Sequence, residues 1–216
     1  MRDQFFLIRQ ILLFWKEDQK MNRNKKVTIL TECAVYVAMA AVLSTFTLFN
    51  MPFGGTVTPF ATLPILVASL RHGSKWGIAT ALVFSLTQLL LGGMENIVAV
   101  PAKTLSAMMI CAALDYVVPY TLLGFCGVIA NRFKNAIAGI TVSVLLTGLI
   151  RFVCSFLSGI IVWVAYTKEG WSVAGYSLAY NAVWCGPDVA ITLVACLALS
   201  RVKALKLMPE RHTANV

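Results

Sequence analysis

The 216 residues are 59% hydrophobic and 12% charged, with a mean hydropathy of +0.79 and a formal net charge of +9. Soluble domains carry roughly 45–50% apolar and about 25% charged residues, so this chain cannot cover a water-facing surface and is expected to sit in lipid as one multi-pass domain. Its Lys and Arg residues gather at the ends of apolar runs and form no long stripe interleaved with aromatics, which argues against a nucleic-acid surface.

From the N-terminus, residues 1–26 form a basic leader. Phe5, Phe6, Ile8, Ile11, Leu12, Leu13 and Trp15 would make an amphipathic interfacial helix, too interrupted by charge to span. No small-residue cleavage site follows, so a signal peptide is a poor fit. Met21, just before a short basic leader and the first span, is an alternative start. Six apolar segments follow within 27–202: Val27 to Phe49, Val57 to Leu70, Trp76 to Gly92, Ala102 to Ala130, Ala136 to Tyr166 and Tyr176 to Ser200. The second is short for a full crossing, and Pro59 and Pro64 make a kinked or re-entrant path reasonable. Residues 203–216 read as a cytoplasmic tail.

Charge orients the bundle. Arg2, Arg9, Lys16, Lys20, Arg23, Lys25 and Lys26 precede the first span. Arg71 and Lys75 follow the second, Arg132 and Lys134 the fourth, and Arg201, Lys203, Lys206 and Arg211 the sixth. The other side has only Lys103 and Lys168. The positive-inside rule then makes both termini cytoplasmic. The expected fold is an all-α bundle of six transmembrane helices in the bacterial plasma membrane.

Enzyme chemistry finds little support. There is no GxxxxGK[ST] phosphate loop and no GxSxG elbow. His72 and His212, the only histidines, lie outside the spans, so a histidine-based triad or metal site within them is unavailable. Cys33, Cys111, Cys126, Cys154, Cys185 and Cys196 lie in or beside apolar runs with no CxxC pair, and read as small apolar residues. No cofactor or metal is implied. Binding or transport remains.

Ionisable groups inside spans are costly unless they meet a partner or a cavity. Asp115, Arg151 and Asp188 are such groups; Glu32 and Glu95 lie nearer span ends. Arg151 with Asp115 or Asp188 would make a structural ion pair, and the alternative is a polar cavity. The spacing of four in Arg151, Ser155, Gly159 and Trp163 puts a cation, a hydroxyl, a gap and an indole on one helical face, unlike a lipid face. Tyr176, Tyr180 and Asn181 open the sixth span, with Trp171 and Trp184 nearby, and Asp115 is followed by Tyr116. A carboxylate, an amide, phenols and an indole near the outer half suit a flat cationic aromatic. On the first span, Ala34 and Ala38 are four apart, a small-xxx-small face on which another helix can pack.

These residues lie in stretches that resemble the thiamine-specific S component of energy-coupling factor (ECF) transporters. The matching stretches are TECAVYVAMAAV at 31–42, MPFGGTVTPFATLPILVASLRHG at 51–73, ALDYVVPYTLLGFCGV at 113–128, RFVCSFLSGIIVW at 151–163, EGWSVAGYSLAYN at 169–181 and PDVAITLV at 187–194. The resemblance implies a six-helix S-component bundle that binds thiamine tightly from outside, under the loop joining the first two spans. It implies docking, through Ala34 and Ala38, on a transmembrane coupling protein that works with two cytoplasmic ATPases. It also implies that Asp115 meets the aminopyrimidine, with Tyr116 beside it. Trp163 would stack on the ligand over Gly159, and Tyr176, Asn181 and Arg151 would complete the site.

Two departures from the family pattern stand out. Ser155 replaces a histidine common in the family, and the loop from Asn50 to Thr58 lacks a stacking tryptophan, leaving Phe53 as a substitute. A thiamine precursor or analogue therefore stays open as the ligand. A stand-alone proton-coupled transporter is the other alternative, with Asp188 beside Pro187 as its proton carrier.

Overall fold

The computed structural model describes residues 24–51 and 55–202. The interfacial-helix and alternative-start expectations for the leader, the role of Phe53 and the tail from 203 lie outside the described residues.

Among the described residues, five helices are long and apolar enough to cross a membrane: α1 (Asn24–Ser44), α3 (Ser74–Val98), α4 (Leu105–Ala130), α5 (Ala136–Ile161) and α6 (Val173–Ser200). The sixth, α2 (Leu63–His72), has 10 residues and spans about 15 Å, half of a ~30 Å hydrocarbon layer. The apolar run from Val57 to Leu70 is therefore not one continuous helix. Its first part pairs as a strand, β2 (Thr56–Val57), with β1 (Phe49–Asn50). The chain then turns through Phe60, at φ 64°, before Pro64 enters the first turn of α2, where its missing N–H does no harm.

Short as it is, α2 is the centre of the bundle. Every residue from Pro64 to Leu70 is buried. Ile65, Leu66 and Leu70 pack with Ala40 of α1, Phe84 of α3, Leu123 and Cys126 of α4, Ile140 and Val144 of α5 and Cys196 of α6. A helix apolar all round belongs inside. The α2–α4 crossing is close because Gly127 has no side chain; a Cβ there would collide with the Ser69 carbonyl. Ser69 Oγ also donates to the Gly124 carbonyl at 2.6 Å and accepts from Gly127 N–H at 2.8 Å. Gly73, at φ 81°, turns the chain directly from α2 into α3.

By contrast α1 is peripheral. Only 11% of its most apolar stretch is buried, against 33% in α3 and in α5. Val27, Leu30, Val35, Met39 and Val42 all face outward. Glu32 ties α1 to the end of α2, contacting Arg71 at 3.1 Å and His72 at 2.9 Å.

Two long helices are interrupted where they approach one another. α3 widens into a π-helical turn at Leu89–Gly93 and kinks at Gly92. α4 also widens into a π-helical turn, at Ala112–Val117, just before Pro119, whose missing donor an unbroken α-helix would leave as a gap. α5 and α6 pack as a long antiparallel pair. They are capped by Asn135, which accepts from Ile137 and Ala138 N–H, and by Ser172, which accepts from Gly175 N–H.

Candidate functional site

A cavity of about 330 Å³ opens near the end of the bundle where α1, α3 and α5 finish and α6 begins. Ser44 and Thr47 come from the end of α1 and the segment after it, and Gly55 and Thr56 from the β-hairpin. Gln88, Gly93 and Asn96 come from the kinked part of α3, and Asp115, Tyr116 and Tyr120 from α4. Arg151, Ser155 and Gly159 come from α5, and Tyr176, Asn181 and Trp184 from α6. Both π-helical turns supply cavity wall. Such a turn widens the helix and re-aims its side chains, here those of Asp115 and Tyr116.

All eight sequence-derived candidates, Asp115, Tyr116, Arg151, Ser155, Gly159, Trp163, Tyr176 and Asn181, line this one cavity. Ala34 and Ala38 do not; both are exposed on α1. The shared α5 face holds for Arg151, Ser155 and Gly159. Trp163 lies beyond the helix, which ends at Ile161 in a β-branched run of low helix propensity. A different contact brings Trp163 to the cavity: its indole Nε1 donates to Asp115 Oδ2 at 3.2 Å, and its ring stacks on Tyr166 at 5.8 Å.

The membrane-embedded charges divide into two groups. Arg151 donates to Asp188 at 2.5 Å. Its guanidinium lies 5.2 Å from the Tyr120 ring centroid and 4.9 Å from that of Trp184, so the cation is paired on one side and held by aromatic faces on others. Asp115 forms no ion pair among the described residues. Three donors, Ser158 Oγ at 2.6 Å, Trp163 Nε1 and Cys111 Sγ at 3.4 Å, converge instead on its Oδ2. With Arg151 and Asp188 paired, Asp115 borders the cavity as a carboxyl group with no cationic partner among the described residues.

The neutral polar groups are largely committed to one another. Tyr116 hydroxyl accepts from Asn96 Nδ2 at 2.8 Å, and Ser85 Oγ donates to the Tyr116 carbonyl at 3.1 Å. Asn181 Nδ2 donates to the Ser177 and Ser155 carbonyls, and its Oδ1 accepts from Trp184 Nε1 at 3.0 Å. Asn181 thus sets the Trp184 ring as well as lining the wall. A Cβ on Gly159 would collide with Ser177 Oγ; this glycine lets α5 and α6 close as well as leaving space in the cavity. Tyr176 packs edge-on against Trp171 and beside Tyr180, and Gly55 N–H donates to the Tyr180 hydroxyl at 2.8 Å. That bond ties the hairpin over the cavity to α6.

Sequence reasoning missed Tyr120, Gln88 and Asn96. Tyr120 was within reach, one turn beyond Tyr116 on the same helix. Gln88 and Asn96 enter the wall through the α3 kink, for which Gly92 and Gly93 are the sequence signal.

Residues 30–208 match the family described as thiamine transporter protein (Thia_YuaJ). The chain belongs to this thiamine transporter family. It is 30% identical over 190 residues to the thiamine transporter ThiT of Bacillus subtilis (strain 168), an alignment covering 82% of this chain and 93% of that protein. It is 22% identical over 170 residues to the thiamine transporter ThiT of Lacticaseibacillus paracasei, covering 74% and 81%. The solved structure of ThiT from Listeria monocytogenes superposes with a TM-score of 0.68 at 23% identity, covering 86% of this chain and all of that one; at that identity it speaks to the fold. The chain is accordingly a multi-pass protein of the bacterial cell membrane and a transport protein rather than an enzyme.

Proposed function

We propose that this thiamine transporter family member binds thiamine itself in the cavity, with high affinity, as the substrate-binding subunit of an ECF-type importer. The observation that carries the ligand assignment is Asp115, which among the described residues borders this aromatic-walled cavity with no cationic partner, while the embedded Arg151 is paired with Asp188. Thiamine joins an aminopyrimidine to a thiazolium cation. Asp115 Oδ1, which takes none of the three internal bonds, accepts from the exocyclic amine. Trp163 supplies a stacking face, and the remaining rings receive the cation. Tyr116, Ser155, Gly159, Tyr176 and Asn181 shape the wall, and Arg151 closes its far end. Arg151 and Ser158, whose hydroxyl holds Asp115 at the other end of the cavity, are seven residues apart on α5, about 10 Å along the axis. Two polar poles at that separation favour the two-ring molecule over either fragment, and the volume lies in the range of roughly 300–1,000 Å³ for small-molecule sites.

The cavity lies at the end that carries Lys103 and Lys168. Lys25, Lys26, Arg71, Lys75, Arg132, Lys134 and Arg201 lie at the other. The positive-inside rule then opens the site outward and puts the described chain ends in the cytoplasm. Ala34 and Ala38, exposed on a helix that packs little against its own bundle, form the face that docks on a transmembrane coupling protein served by two ATPases. Arg151 holds Asp188, which argues against Asp188 as the proton carrier of a stand-alone transporter. Titration of the detergent-solubilised protein with thiamine, followed by tryptophan fluorescence, tests the site. Saturable quenching at nanomolar concentrations supports it, and no response in folded protein rejects thiamine.

A further inference from the structure

Two of the donors that hold Asp115 stand behind it. Ser158 is 1% exposed and Cys111 is fully buried, and neither lines the cavity. The shortest of the three bonds to Oδ2 is from Ser158, at 2.6 Å. Ser158 is also the backbone node at the end of α5: its carbonyl accepts from Val162 N–H at 2.8 Å and from Trp163 N–H at 3.3 Å. Ser158 thus sits in the last turn of α5, beside the point where the Trp163 indole emerges, with its hydroxyl on the carboxylate. A carboxylate free to rotate about its last torsion presents either oxygen over a broad range of angles. With Oδ2 pinned by three donors, Oδ1 is left pointing one way.

We propose that Ser158, assisted by Cys111, is the positioning residue of the binding site: it orients Asp115 so that Oδ1 receives an amine hydrogen, and so sets the discrimination between ligands bearing an amine and those bearing an oxygen at that point. This rests on the reading of Asp115 as the ligand's partner. An amine donates to the fixed oxygen, whereas an oxygen in its place is repelled by it, and the contrast fades once the carboxylate can turn away.

The test compares thiamine with its oxo analogue oxythiamine by fluorescence titration of full-length wild type and Ser158→Ala, each checked for a cooperative thermal transition. Ser158→Ala is expected to weaken thiamine about tenfold and oxythiamine less than about twofold, shrinking the affinity ratio. A purely packing role would shift both ligands alike; an equal change for both, or no change for either, overturns the inference. Should Ser158→Ala fail to fold, Ser158→Cys keeps a side chain of similar size with a weaker donor: a thiamine-to-oxythiamine affinity ratio below that of wild type supports the inference and an unchanged ratio overturns it. Wild-type protein that does not bind thiamine overturns the reading of the site, and the inference with it.

Discussion

Asp115 and Asp188 are both carboxylates inside a membrane bundle, yet they are held in opposite ways. Asp188 is 1% exposed and spends its charge on Arg151. Asp115 borders the cavity, meets only neutral donors and has one oxygen outside that network. The first arrangement locks α5 to α6. The second keeps a charge in reserve for something that is not part of the chain. A buried charge is therefore a functional signal only when the chain has not already neutralised it.

That contrast is open to direct attack. The largest effect should come from Asp188→Leu, which strands Arg151 without its partner and should lower stability by about 3–5 kcal/mol, read as a fall in the thermal midpoint in detergent. Trp163→Ala should weaken thiamine binding by about 1–3 kcal/mol, as for the loss of a stacking aromatic, by calorimetric titration; unchanged affinity would remove Trp163 from the site. Gly159→Ala drives a methyl into Ser177 and should destabilise by about 1–3 kcal/mol through overpacking, seen in the same melts. Ala34→Trp should leave binding unchanged and abolish uptake in cells that carry the ATPase partners; a loss of binding would contradict the docking assignment.

How much of this was legible in the sequence follows from the same physics. The long spans were, because roughly twenty apolar residues have few other homes. The Arg151, Ser155 and Gly159 face was, because an α-helix repeats nearly every four residues. The short α2 was legible as an irregular segment but not as the centre of the core, since apolarity alone does not separate lipid from protein surroundings. Which carboxylate Arg151 would choose was not legible, because Asp115 and Asp188 are both distant in sequence and the π-helical turn at Ala112–Val117 decides where Asp115 points. Trp163 was placed at the cavity by extending α5 too far; its bond to Asp115 puts it there. Ser158 left no mark in the sequence beyond being a serine in a span.

The most direct measurement is calorimetric titration of thiamine into Asp115→Asn, paired with a thermal melt of the same ligand-free sample. Affinity should fall tenfold or more, on the order of the value of a charge-assisted hydrogen bond, with a ligand-free midpoint close to that of wild type. Wild-type affinity together with a collapsed midpoint would make Asp115 a structural carboxylate like Asp188, and would contradict the central claim.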